Sequence, residues 1–272
     1  MPGLLLGTSF SGRADAAGRE APARASLRAL EQSGAAVFVE LRFADDSPAG
    51  ASAVLRRDAR SAAGVDGARK PLVTDMLDVL AAEAERRGLS RIGIVNGDII
   101  VLPEAVTHEV ARTAAAAAFS RTDVGGGLPD QPLLYGVDMV TFDVAFWRRH
   151  RRRFRSYILG EPTWDNVYTA VIASHGGVLL NRERLLLHER HPSRTANSPY
   201  ARYLQVLAAR DRSYFSRWCE YVSAAEQLRA RGGSAAEEFA LQRTIFRPPT
   251  LPVEAMDVAR GSWWRLKRAL GA

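Results

Sequence analysis

The fold is decided by the segment Arg91-Ile-Gly-Ile-Val-Asn-Gly-Asp-Ile-Ile-Val-Leu-Pro103. Its first apolar run, residues 92–95, is continuous and therefore typical of a strand buried on both faces. In a sheet flanked by helices, ligands bind beyond the carboxyl ends of such strands. Asp98 is thus predicted to emerge at that edge, where it could hold a metal ion against a phosphate. A simple turn is the alternative, because Asn-Gly between apolar runs is a strong β-hairpin signal.

Strands and helices alternate around this segment, which predicts an α/β fold with a mixed, mostly parallel sheet flanked by helices. Helical patterning continues after residue 198, so we expect a domain at 1–195 and a C-terminal helical region at 196–272 packed on it. The predicted strands are 4–8, 35–41, 91–102, 135–142, 178–180 and 185–187. The predicted helices are 20–33, 51–62, 71–88, 103–119, 143–153 and 163–176.

Composition limits the classes of function and the cell compartment. The net charge of +7 comes mainly from arginine and favours anionic partners such as a nucleotide, a phosphorylated lipid or a membrane surface. Cys219 is the only cysteine, which excludes an internal disulfide and is typical of a reducing cytosol. The sequence has no apolar run long enough to span a bilayer and no signal-peptide pattern at its start. We therefore expect a cytoplasmic protein.

Several short motifs carry a resemblance to a known family. The strand ending in Asn96-Gly97-Asp98 resembles the metal-binding element of GT-A-fold glycosyltransferases, which take a sugar from a nucleotide diphosphate. Gly136-Val-Asp138, Thr163-Trp-Asp-Asn166 and His188-Glu-Arg-His191 follow in an order similar to that of bacterial members. The similarity covers about residues 4–195 and implies a GT-A-like fold. It also implies transfer of a sugar to a hydroxyl group on a glycan or lipid-linked acceptor, as in polysaccharide biosynthesis.

The resemblance implies a role for each matching residue. Asp98, His188 and His191 would bind Mn²⁺ or Mg²⁺, and imidazole suits manganese better than magnesium. Asp165 would be the general base that takes the proton of the acceptor hydroxyl. The remaining candidates are Thr8, Asp45, Lys70 and Asn96 for the nucleotide-sugar donor, and Asp138, Trp164 and Asn166 for the substrate.

Each of these roles has a structural alternative. Thr163 could cap a helix with Asp165 in its first turn, where the helix dipole favours an anion. Trp164 could belong to the core, and Lys70 could be a solvated loop residue. The two histidines could simply hydrogen-bond backbone groups. In addition, the family has an acid where this chain has Asn96, which favours a catalytically inactive module that binds a glycan, an anionic lipid or a protein.

Two basic segments stand apart from these motifs. Arg148-Arg-His-Arg-Arg-Arg153 is a dense positive run, for which a solvated helix face and attraction to an anionic acceptor both stay open. Gly261-Ser-Trp-Trp-Arg-Leu-Lys-Arg268 combines tryptophans with cations, as in peripheral membrane contacts, although docking onto the domain explains it equally well. No nucleic-acid-binding motif accompanies either segment, so nucleic acid is not an expected partner.

Overall fold

The computed structural model describes residues 3–11, 16–46, 53–191 and 198–269. The strands are β1 (Leu4–Thr8), β2 (Val37–Glu40), β3 (Arg42–Phe43), β4 (Val54–Leu55), β5 (Arg91–Val95), β6 (Ile99–Val101), β7 (Ala116–Val124), β8 (Gln131–Asp143), β9 (Val178–Leu180) and β10 (Leu186–Glu189). The helices are α1 (Ala17–Gln32), α2 (Ala59–Ala63), α3 (Val73–Arg87), α4 (Pro103–Ala111), α5 (Val144–His150), α6 (Trp164–Ser174), α7 (Ala201–Arg210), α8 (Arg212–Ala230), α9 (Ala235–Ile245) and α10 (Leu251–Ala269). Short 3₁₀ turns form at Ala44–Asp46 and Arg151–Arg153.

The central sheet has eight strands in the order β2-β1-β5-β8-β7-β10-β6, with β9 also paired to β7. The α/β class and the mixed sheet are confirmed, but the expectation of a mostly parallel sheet was wrong. β8 runs antiparallel to both β5 and β7, and β6 runs antiparallel to β10. The sheet is therefore mixed, because β7 and β8 form a long hairpin in its centre and not a crossover through a helix.

The Asn96-Gly97-Asp98 triplet does not form a hairpin. β5 pairs with β1 and β8, whereas β6 leaves β5 and pairs with β10. The triplet therefore connects two strands that are not neighbours in the sheet. It follows the carboxyl end of β5, beside the end of the parallel strand β1, as the buried apolar run predicted.

The alanine-rich segment after Pro103 was predicted as one helix to residue 119, which was wrong. α4 ends at Ala111, and residues 116–124 form β7. Alanine has a high helix propensity, but here the small side chains are buried within the sheet and pair with β8. The helix predicted at 51–62 is likewise replaced by β4 and α2, and residues 47–52 lie outside the described part.

Both faces of the sheet are buried. Along β1, Leu5 contributes to one hydrophobic cluster, while Leu4 and Leu6 contribute to the other, as the alternation of strand side chains requires. Helices α3, α6 and α8 cover the first face, and α1 and α4 cover the second. Tyr214 and Trp218 of α8 belong to the same hydrophobic cluster as the buried residues of α6. The predicted boundary at residue 195 lies outside the described residues. Among those described, no helix has the length and apolar character needed to cross a membrane.

Candidate metal centre

Three predicted metal ligands come together beyond β5. The Nε2 atoms of His188 and His191 lie 3.1 Å apart, and the Oδ2 atom of Asp98 lies 3.3 Å from that of His191 and 3.7 Å from that of His188. Among the described residues, these three form the group of carboxylate and imidazole ligands that could share one cation. The two imidazole nitrogens and the carboxylate oxygen are therefore close enough together to bind a single cation.

Strand register explains this convergence. β10 lies between β7 and β6, so His188 is opposite Asp123 of β7 and Ile99 of β6. Asp98 directly precedes Ile99, and His191 follows two residues after the end of β10. The pairing of β10 therefore brings His188 and His191 to Asp98, although the two segments are about 90 residues apart.

The spacing of the donor atoms fits a divalent cation. Metal–ligand bonds of about 2.1 Å at angles of 90–110° separate donor atoms by about 3.0–3.5 Å, close to the distances given above. His188 Nδ1 lies 2.9 Å from Asp123 Oδ1. A proton on Nδ1 would be donated to Asp123, which leaves the Nε2 lone pair facing Asp98 and His191. Carboxylates orient metal-binding histidines in this way.

The charges at this site are strongly coupled. Burial alone would raise the pKa of Asp98, but the hydrogen bonds and charges of His188 and His191 outweigh burial and lower it to about 2. Burial would lower the pKa of His188, but the hydrogen bond with Asp98 contributes most to raising it. Without a cation, Asp98 is therefore ionised and His188 is held towards its charged form. A bound cation would replace the imidazolium proton as the partner of the carboxylate.

A chain of polar side chains leads from the triad into the sheet. Arg121 donates to Asp123 at 2.8 Å and to Asp138 at 2.7 Å, and the Asn96 amide donates to the other oxygen of Asp138. Sequence reasoning missed Arg121 and Asp123 because the residues after the predicted helix 103–119 were assigned to no strand. Their spacing of two residues, which places both on one face of a strand, was the available signal.

Asp165 occupies the first turn of α6, as predicted. Thr163 precedes this helix with a φ of 87° and makes no side-chain cap, so the expected threonine cap was wrong. It is the only non-glycine residue with a positive φ among those described, a costly conformation that is often found at functional sites. Burial and the nearby charge of Asp138 raise the pKa of Asp165 to about 7, against the opposing effects of the backbone N–H of Asn166 and the charge of Arg121.

Other predicted residues do not reach the metal centre as expected. Trp164 is only 2% exposed and packs edge-on against Tyr168, so its predicted role as a sugar platform gives way to the core alternative. Thr8 is completely buried, and its hydroxyl donates to the Val95 carbonyl, so it lies inside the sheet and not on a ligand-binding surface. Asn166 is half-buried, and its Oδ1 atom has no hydrogen-bond donor among the described residues.

Lys70 and Asp45, which were predicted to bind the donor, both form ion pairs. Lys70 Nζ lies 2.6 Å from Glu161 Oε1, so the solvated alternative was wrong and its charge is already neutralised. Asp45 is 78% exposed on its 3₁₀ turn, with Arg69 at 3.1 Å. Neither contact involves the metal centre.

Comparisons with known proteins identify no family. No protein-family model matches the chain, and no curated protein matches it. Among solved structures, the chain is similar to a glycosyltransferase involved in the glycosylation of the major capsid of PBCV-1. The TM-score is 0.39 at 8% identity, over 72% of this chain and 94% of that chain. Values this low establish no membership, so the function has to be inferred from the site itself.

Proposed function

We propose that this protein is a metal-assisted glycosyltransferase that moves a sugar from a nucleotide-diphosphate donor to a hydroxyl of a glycan or lipid-linked acceptor. The observation that supports it best is the convergence of Asp98, His188 and His191 at one point, oriented by Asp123. These three residues match motifs that are far apart in the sequence and resemble those of GT-A enzymes.

Asp98 and the two histidines would hold the cation. When bound there, it supplies positive charge that stabilises the diphosphate as it leaves. Two imidazoles and one carboxylate suit Mn²⁺ better than Mg²⁺, which prefers oxygen ligands alone. Asp123 fixes the ring of His188, so the donor geometry exists before the cation arrives.

Asp165 would act as the general base of an inverting reaction. A base works best when its pKa lies near the operating pH, and a value of about 7 meets that condition. Burial and the charge of Asp138 keep the pKa of Asp165 high, and Arg121 donates hydrogen bonds to both Asp138 and Asp123, the residue beside His188.

A second candidate function is a GT-A-like binding module without catalysis. The observation that favours it is Asn96, which stands where the family has an acid and whose amide is committed to Asp138. Such a module would keep the nucleotide or glycan site but would not turn over a donor.

The first experiment measures cation and donor binding. We expect Mn²⁺ to bind the wild type in calorimetry, and Asp98→Asn to weaken that binding at least about tenfold through the loss of one charged ligand. Asp66→Asn is the matched control, because Asp66 is exposed and has no ion pair among the described residues. Equal manganese affinity in wild type and Asp98→Asn would exclude the metal centre.

The second experiment separates the two candidate functions. Thermal unfolding is followed with UDP-, GDP- and TDP-sugars, each with and without Mn²⁺, and donor hydrolysis is measured in parallel. Stabilisation that requires both metal and nucleotide, together with turnover that is lost in Asp165→Asn, supports the transferase. Stabilisation without any turnover supports the binding module, and no response to any pair contradicts both.

A further inference from the structure

A second possible binding site lies away from the metal centre. It is a cleft of about 760 Å³ between the 3₁₀ turn after α5, helix α7 and helix α10. Five arginines line it, and no acidic residue of the described part does: Arg151, Arg152, Arg155, Arg210 and Arg265. A cleft of this size is within the range of small-molecule sites.

Of the five arginines that line the cleft, Arg151 and Arg155 have a carboxylate partner, and the other three have none in the described part. In the run that leads into the cleft, Arg148, Arg151 and Arg153 each bind a carboxylate. By contrast, Arg152, Arg210 and Arg265 have no carboxylate within 4 Å in the described ranges. Three cations therefore face one cavity without a counter-charge.

The cleft also holds donors that lack acceptors. The Nε atoms of Arg155 and Arg210 are shielded from solvent and make no hydrogen bond among the described residues, although Arg155 Nε lies 3.5 Å from Asp211 Oδ1. Such groups are rare and costly in folded proteins. Burial and the charges of Arg155 and Arg265 lower the pKa of Arg210 against the opposing charge of Asp211, so Arg210 is repelled by the other two cations. An anion in the cleft would relieve this repulsion.

The contact between helices α7 and α10 fixes the position of Arg210. Its side chain crosses α10 at Gly261, where a Cβ atom would lie 1.8 Å from Arg210 Cγ. Glycine at that position allows the arginine to lie against the helix. The guanidinium is thus held beside Arg265, four residues further along α10, by the contact of two helices and not by a flexible loop.

We propose that this cleft binds an organic phosphate, with Arg152, Arg210 and Arg265 as ligands of the phosphate and with Val206 and Leu207 against the attached apolar or ring-shaped group. Guanidinium groups are well suited to phosphate because their planar donors match two oxygens at once. The cleft shares no lining residue with the metal centre. The proposal therefore does not rest on the transfer reaction.

The phosphate could be carried by a soluble molecule or by a lipid, and the probes separate the two sources. Phenyl phosphate and inorganic pyrophosphate represent the soluble source and are titrated in calorimetry. Phosphatidylcholine vesicles with and without phosphatidic acid represent the lipid source and are tested by co-sedimentation. All titrations use matched ionic strength, since salt screens weak charge attraction.

The deciding variant is Arg210→Gln combined with Arg265→Gln in the full chain. Its control is Arg28→Gln combined with Arg243→Gln, two exposed arginines without ion pairs in the described part. We expect at least one probe to bind the wild type and the control equally, and to bind the cleft variant about tenfold or more weakly. The probe that binds identifies the source.

The proposal would be overturned if none of the probes bound the wild type at millimolar concentration, or if both double variants lost binding equally. If the cleft variant does not fold, Arg152→Gln carries the same test, because Arg152 is exposed and its replacement disturbs no packing. Manganese binding is expected to be the same in all of these variants, so this test is independent of the metal centre.

Discussion

Replacing Asp165 by asparagine should make the protein more stable at neutral and alkaline pH. The pKa of Asp165 is raised from 3.8 to about 7, so the folded state holds the proton more tightly than the unfolded state does. The stability contributed by this proton is complete below about pH 4 and is lost as the pH rises through about 7. Asp165→Asn has no such proton to lose.

The magnitude follows from the size of the shift. A rise of about 3 pKa units at about 1.4 kcal/mol per unit gives an upper limit of about 4 kcal/mol above pH 7. The carboxyl is half-buried, and solvent reduces the cost of its charge, so we expect about 2–3 kcal/mol. The variant should match the wild type near pH 4 and exceed it by this amount near pH 8.

The assay is urea unfolding at a series of pH values, with a chelator present so that no cation alters the charge near Asp165. Asp66→Asn serves again as the control and should follow the wild type at every pH. The reasoning would be refuted if Asp165→Asn and the wild type kept the same difference in free energy of unfolding from pH 4 to pH 8. A variant that was less stable at high pH would refute it more strongly.

Four further predictions test the site and the packing. Asp123→Asn should weaken manganese binding about 10–100-fold in calorimetry, because its carboxylate orients His188, and an unchanged affinity would contradict that role. Gly93→Ala should lower the free energy of unfolding in urea by about 1–3 kcal/mol, since its Cβ would lie 2.8 Å from a methyl group of the next strand. Gly18→Ala, in α1 with nothing within 4 Å, should instead raise it by about 0.5–1 kcal/mol. Glu238→Gln should cost about 3 kcal/mol in the same assay, because its buried carboxylate binds two arginines.

The part of the site built from strand ends was predictable from the sequence. The continuous apolar run before Asn96 indicated a central strand, and the short strand before His188 indicated a second one at the same edge. Local patterns of this kind specify where a chain leaves a sheet. Together with the resemblance to GT-A enzymes, these patterns led to Asp98, His188 and His191 as candidate metal ligands.

The residues that support the triad were not predictable in the same way. Ala116 to Ala118 have side chains that favour a helix, and only their pairing with β8 makes them a strand. With that strand unassigned, Arg121 and Asp123 had no place beside the histidines. The sugar-binding role of Trp164 could not be decided from the sequence for a different reason. Its position in the sequence fits a sugar contact and a core residue equally well.

The separation of Asp98 from His188 and His191 has a consequence for synthesis of the chain. A nascent polypeptide on the ribosome has Asp98 long before β10 has been translated, and β10 must then insert between β7 and β6. Contacts between such distant segments form slowly, because a long loop must close first. Binding of a cation at this centre would therefore begin only when most of the protein had emerged from the ribosome. Manganese binding during translation would then show when β10 pairs with β7 and β6.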